Sequence, residues 1–214
     1  HPITRTELWL AQIALFVAIL LQIALYYISS NVSLGPHYLI IFTEIILAVL
    51  ISFTSTKRHE KRHSLHKNAS ILLLALISVA NIFSFALVGK SLVLGHTNIT
   101  GYELLVSALV IFATNIIVFA LWYWEIDSPG LTGGRWSRHD RDFQFPQQNN
   151  LAFFPGWQPS FADYLYVSST NAINFASADA KPLTAQAKGL MGLQAMISAF
   201  TLALMIARAV NIIG

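Results

Sequence analysis

Residues 160–182 read S-F-A-D-Y-L-Y-V-S-S-T-N-A-I-N-F-A-S-A-D-A-K-P, and a long apolar segment ending M-I-A-R-A-V-N-I-I-G follows. The quoted stretch is too short and too polar to cross a bilayer on its own. Ser160 stands three residues before Asp163, the spacing of a capping box. A short helix carrying Tyr164, Leu165, Tyr166 and Val167 is therefore expected, running to about Thr170. An extended return rich in Asn, Ser and Ala comes next, and Pro182 sets up the final helix. Helix, extended return and helix is the order of a re-entrant loop. Such backbone persists at membrane depth only where it is buried in protein or lines water.

The pattern resembles the pore signature of the pore-loop cation channels, potassium channels above all: L-Y-F-S-x-x-T-x-T-T-V-G-Y-G-D-x-x-P. Laid on this chain without a gap, it puts Leu165-Tyr166-Val167-Ser168 on the pore helix. Asp179 falls on the filter aspartate, Pro182 on the proline, and Asn174-Phe175-Ala176-Ser177-Ala178 on the filter itself. The likeness covers residues 160–214. It implies a passive cation channel assembled as a homotetramer, because one loop supplies a quarter of the ion path. The filter letters depart from the family. Potassium-type filters use glycines to aim successive carbonyls at the ion, and Ala176 and Ala178 stand in their places. A left-handed conformation costs an L-residue roughly 1–2 kcal/mol. The expected path is then a wider constriction in which Asn174, Ser177 and Asp179 present side-chain oxygens to monovalent cations. The alanines and the bulky Phe175 also fit a second reading, a channel fold that no longer conducts and serves as a structural or regulatory subunit.

Composition agrees with a membrane protein. Hydrophobic residues make up 55% of the chain and charged residues 11%, with a mean hydropathy of +0.59, well outside the range of ordinary globular domains. The absence of cysteine excludes a disulfide frame, thiolate catalysis and cysteine metal sites. The opening His1-Pro2 reads as a processed start and carries no weight here.

The first span is expected over Thr6 to Ser29, with Trp9 and Tyr26-Tyr27 marking the two interfaces. The second runs from about Tyr38 to Phe53 or a little beyond, the third from about Ala69 to Val88 and the fourth from about Glu103 to Tyr123. Each is near the roughly 20 apolar residues a crossing needs. The expected fold is all-α and integral to the membrane: four spans, a re-entrant pore helix and loop, and a fifth, pore-lining span. Residues 1–124 form the transmembrane region, with 103–124 doubling as the outer pore helix. Residues 125–159 connect and 160–214 are the pore module. In the connecting stretch Phe153, Phe154 and Trp157 suit the headgroup layer.

Of the 13 Lys and Arg residues, all but Lys90 and Arg208 fall on one side of this arrangement. The positive-inside rule then puts the N-terminus in the cytoplasm, the C-terminus outside and the loop entrance on the cytoplasmic face. This is opposite to potassium channels and similar to ionotropic glutamate receptors. The lack of targeting features points to a prokaryotic inner membrane.

Several single residues carry two readings. Glu44 lies inside the second span, where an ionisable group is a functional candidate by default. It reads either as a modulator of the ion path or as a protonated or hydrogen-bonded structural group. Gln22, Asn81, Asn115 and Gln194 are expected to tie helices together. Gly189 and Gly192 suit a gating hinge or close helix packing, the latter being the plainer role. The basic run K-R-H-E-K-R-H-S-L-H-K, residues 57–67, contains His59-Glu60-x-x-His63, the zinc-protease signature. Lys57, Arg58, Lys61 and Arg62 would repel a divalent metal there, so a membrane metalloprotease is the remote reading. A solvated topological signal, or a basic helix touching anionic lipids, is simpler. In the second case His59, His63 and His66 add charge as pH falls. No enzyme activity, metal, cofactor or nucleic-acid partner is expected.

Overall fold

The computed structural model describes residues 5–28, 45–46, 63–94, 100–127, 141–150, 152–176 and 180–213. Among them are five long or medium helices: α1 (Arg5–Ile28), α2 (His63–Leu94), α3 (Gly101–Asp127), α4 (Phe161–Asn174) and α5 (Ala185–Ile213). Two short strands, β1 (Phe143–Gln144) and β2 (Lys181–Pro182), pair antiparallel, Phe143 opposite Pro182 and Gln144 opposite Lys181. A 3-10 turn covers Pro146–Asn149.

Four of the helices are long and apolar enough to cross a membrane: Trp9–Ile28, Ile71–Lys90, Gly101–Asp127 and Ala185–Ala207. In α1 the buried residues Ala11, Leu15, Ala18, Ile19 and Leu25 form one stripe. The opposite face exposes Trp9, Ile13, Phe16 and Leu20. A helix that is apolar on both faces fits a protein surrounded by hydrocarbon, where outward leucines cost nothing.

α3 is the hub and packs against each of the other four helices. It is also the most deeply buried span. Its start is set by a reciprocal cap, with Thr100 N–H donating to Glu103 Oε2 at 2.8 Å and Glu103 N–H to Thr100 Oγ1 at 3.3 Å.

Two packing clusters fix the relative directions. At one end Ala11 and Leu15 of α1, Leu73 and Leu74 of α2, Val118–Trp124 of α3 and Ala187 and Met191 of α5 share a core with α4. At the other, Leu25, Val88, Leu104 and Ile111 meet, with Leu204 packed against them. Thus α1, α2 and α5 run the same way and α3 runs against them. α1 therefore ends and α2 begins at opposite ends of the bundle. The expected second span, 38–53, falls between α1 and α2 and lies outside the described residues except for Ile45 and Ile46, which are helical.

The connecting stretch is more than a tether. Phe143 and Phe145 are buried in the main core. Phe143 packs its ring against Tyr123 at 5.2 Å, and Phe145 against Tyr164 at 5.4 Å.

Candidate functional site

The site is built around α4, which has 14 residues and is about 21 Å long at 1.5 Å per residue, too short for a core about 30 Å thick. Its N-terminus forms as the sequence predicts: Ser160 donates from both its N–H and its hydroxyl to Asp163 Oδ2, each at 2.7 Å. The expected end at Thr170 is corrected by four residues. Asn171 continues the helix because its amide is used in tertiary bonds, and Asn174 is the last helical residue rather than part of an extended return.

Both ends of residues 161–182 are held at the C-terminal end of α3. At the entry, the Phe161 ring meets Trp124 at 5.4 Å, and the Tyr164 hydroxyl donates to Asp127 Oδ2 at 2.5 Å. The second oxygen, Asp127 Oδ1, accepts the backbone N–H groups of Asp142 (2.7 Å) and Phe143 (2.8 Å). At the exit, β2 pairs with β1, and Leu183 N–H donates to the Asp142 carbonyl at 2.8 Å. Thr184 completes the connection by donating its hydroxyl to Asp142 Oδ1 and accepting from Ala187 N–H. The buried carboxylate of Asp127 therefore joins the end of α3, the β1 strand and the first turn of α4. It stands where α3 meets the connecting stretch and has no sequence motif of its own.

Deeper in the bundle a second set of bonds pins the body of α4. Gln194 of α5, fully buried, accepts from the Tyr123 hydroxyl (2.5 Å) and from Asn171 Nδ2 (2.8 Å). Its own Nε2 donates to Ser168 Oγ (2.7 Å) and the Ser168 carbonyl (3.0 Å). The Ser168 hydroxyl donates to the Ile116 carbonyl at 2.7 Å, and Asn171 also donates to the Met191 carbonyl at 3.0 Å. Further along, Asn115 donates to Ser198 Oγ at 3.0 Å. Gln22 donates to the Ile77 carbonyl at 3.3 Å. Gln22, Asn115 and Gln194 are thus helix ties, as their polarity inside spans suggests; Asn81 is buried.

The filter-like residues follow α4. Asn174, Phe175 and Ala176 are exposed at the tip of the helix, and Phe175 alone among the described non-glycine residues has a positive φ, 56° with ψ 20°. The left-handed turn thus falls on Phe175, the position that closes a helix C-terminus, and not on Ala176. Ser177, Ala178 and Asp179 lie outside the described residues, as do Glu44, His59 and Glu60. His63 opens α2 and His66 lies within its first turns.

Gly189 and Gly192 make no close contact in the structure. A Cβ at either would meet nothing within 4 Å, so among the described residues neither is required for close helix packing. Both lie on the exposed face of α5 with Leu193, Met196 and Phe200. Among the described residues no group of three or more His, Asp and Glu side chains could hold a metal ion.

No protein-family model matches the chain, and neither curated proteins nor solved structures yield a match.

Proposed function

We propose that this chain is one subunit of a passive cation channel, with α3 as outer helix, α4 as a re-entrant pore helix and α5 as inner helix. The observation that carries this reading is the path of residues 161–182. A helix too short to span leaves the C-terminal end of α3, runs inward alongside α5, and its chain comes back to pair with β1 at the same end. The tip of α4 lies near the level of Met191 and Gln194 in the second and third turns of α5, about 10–15 Å from where α5 begins. There Asn174 and the backbone turn at Phe175 and Ala176 are exposed on the protomer. Polar backbone at that depth needs protein or water around it, and a homotetramer closing on the α4–α5 face supplies both. Asn174, Ser177 and Asp179 then line the constriction for monovalent cations, with Glu44 as modulator. The open face at Gly189 and Gly192 turns toward the assembly and leaves α5 free to bend there.

The membrane orientation follows the charges. Arg5, Arg141, Lys181 and Lys188 all lie in or next to elements at the α4 end, which we assign to the cytoplasmic face of a prokaryotic inner membrane. The expected span over 38–53 supplies the passage from α1 to α2 and brings the count to five.

A second reading draws on Phe175. Its half-exposed ring at the tip of α4 would obstruct a narrow path, which favours a non-conducting subunit with the channel fold. Flux through purified protein in liposomes decides between them, comparing potassium, sodium and chloride gradients with Asp179→Asn alongside. Cation flux exceeding chloride flux and altered by the substitution is expected. Absence of flux at every pH and voltage would transfer the assignment to the non-conducting subunit. Strong preference for potassium would contradict the side-chain constriction.

A further inference from the structure

We infer that the turn at residues 152–156, together with Lys181 and Lys188, forms a docking surface for the headgroup layer of anionic phospholipid at the end of the bundle where α4 enters. The sequence alone groups Phe153, Phe154 and Trp157 as interfacial aromatics, but the structure divides their roles. Trp157 is half-buried and packs its ring at a tilt against Phe145, centroids 5.6 Å apart, and Phe145 is itself buried against Tyr164. Trp157 is thus the root of the turn. Phe153 is 77% exposed and Phe154 45% exposed, so the two phenyl rings project from it.

The turn is a compact, fixed element rather than a loose loop. Phe153 and Phe154 both donate their N–H groups to the Asn150 carbonyl, at 3.2 and 3.1 Å, and Trp157 donates to the Phe154 carbonyl at 3.3 Å. Gly156, at φ 71°, supplies the left-handed residue that lets the chain double back. Residues 152–158, A-F-F-P-G-W-Q, carry no charge. Two adjacent phenylalanines held outward on a hydrogen-bonded turn have no use in water, and the interface is where such rings gain from partial burial.

The location identifies the occupant. Phe145 follows β1 directly, β1 and the residue before it donate two backbone hydrogen bonds to Asp127 at the end of the α3 span, and β1 pairs with β2 through Gln144 and Lys181. The rings therefore stand at the level where a span with Trp122, Tyr123 and Trp124 leaves the hydrocarbon. Lys181 and Lys188 are exposed at the same end, on β2 and the first turn of α5. Ammonium groups at the same end as interfacial aromatics match phosphate headgroups bearing net negative charge. This surface does not depend on whether the chain conducts ions.

The chain has no cysteine, so Ala152→Cys gives one reactive site beside both rings, exposed in the fold. A polarity-sensitive fluorophore there is read in vesicles containing doxyl-labelled phosphatidylglycerol or doxyl-labelled phosphatidylcholine. The expected result is quenching by both lipids, little quenching by aqueous iodide, and an excess with phosphatidylglycerol. That excess should be severalfold, since each surface lysine favours anionic lipid by about fivefold, and should vanish in Lys181→Gln/Lys188→Gln. Full iodide access without lipid quenching would place the turn in water and overturn the proposal. Protection from both iodide and lipid would mean that protein covers it, and would overturn the proposal equally. Equal quenching by the two lipids would remove the role of the lysines and with it the anionic specificity.

Discussion

Where α1, α2 and α5 begin and α3 ends, the interior holds a buried carboxylate, a hydrogen-bonded Tyr–Gln–Asn–Ser set and a run of ring contacts from Phe119 to Trp157. At the opposite end Leu25, Val88, Leu104 and Ile111 meet with Phe85, Val110 and Leu204 around them. Both ends are closely packed, but they solve different problems. Long apolar helices are held upright by the bilayer itself, and van der Waals contact suffices to keep them together. In the re-entrant arrangement proposed for α4, a helix this short is not held by the bilayer. Its depth, its rotation and the point at which its chain returns must be fixed by directional bonds, and the polar end supplies them.

If this contrast is right, the largest loss follows from Asp127→Ala. It leaves two backbone N–H groups and the Tyr164 hydroxyl without their acceptor. At about 1–3 kcal/mol for each buried group left unpaired, stability should fall by at least about 3 kcal/mol, measured by reversible unfolding in mixed micelles containing SDS. Asp127→Asn keeps an acceptor for the backbone and should recover most of it.

A smaller loss, about 2 kcal/mol, is expected for Gln194→Leu, which removes four interhelical bonds worth about 0.6 kcal/mol each on average in membranes. The useful companion is Val88→Ala at the apolar end, costing about 1–3 kcal/mol. Only the glutamine variant should also change the exposure of α4 to hydrogen exchange. Equal disturbance of α4 by both would erase the distinction between the ends.

The smallest effect has the opposite sign. Phe175 holds a left-handed conformation that costs roughly 1–2 kcal/mol, while glycine adds about 0.4–1 kcal/mol of unfolded-chain entropy. Phe175→Gly should therefore stabilise by about 0.5–1 kcal/mol, and Ala176→Gly should not stabilise at all. Reversal of that order would mean that the turn sits one residue later than described.

The elements legible in the sequence are those set by local or one-dimensional signals. Apolar runs near 20 residues, expected over Thr6–Ser29, Ala69–Val88 and Glu103–Tyr123 and in the final helix, coincide in the main with the candidate spans Trp9–Ile28, Ile71–Lys90, Gly101–Asp127 and Ala185–Ala207, and S-x-x-D located the start of α4. A second local signal, T-x-x-E at Thr100–Glu103, marks the start of α3 and sharpens the boundary expected at Glu103. What stayed hidden depends on residues far apart in the chain. Asn171 looks like a helix breaker until Met191 and Gln194 are seen to take its amide. Asp127 looks like part of the connecting stretch until Tyr164 and the β1 backbone converge on it. The two-residue ladder between Phe143 and Pro182 has no pattern that a linear reading could detect. Gly189 and Gly192, read as a gating hinge or as packing glycines, face outward because other residues of α5 meet α3 and α4.

The central claim, that residues 161–182 enter and leave by one face of the membrane, is tested most directly by sidedness. Gln158→Cys and Leu183→Cys, each the only cysteine in its chain and each exposed on one flank of the segment, are treated with a membrane-impermeant maleimide. The reagent is added first to intact cells and then to inverted membrane vesicles. Both positions should react in the inverted vesicles and neither in intact cells. Reaction of one from each side would mean that the segment crosses the bilayer, and the channel-like arrangement of α3, α4 and α5 would have to be abandoned.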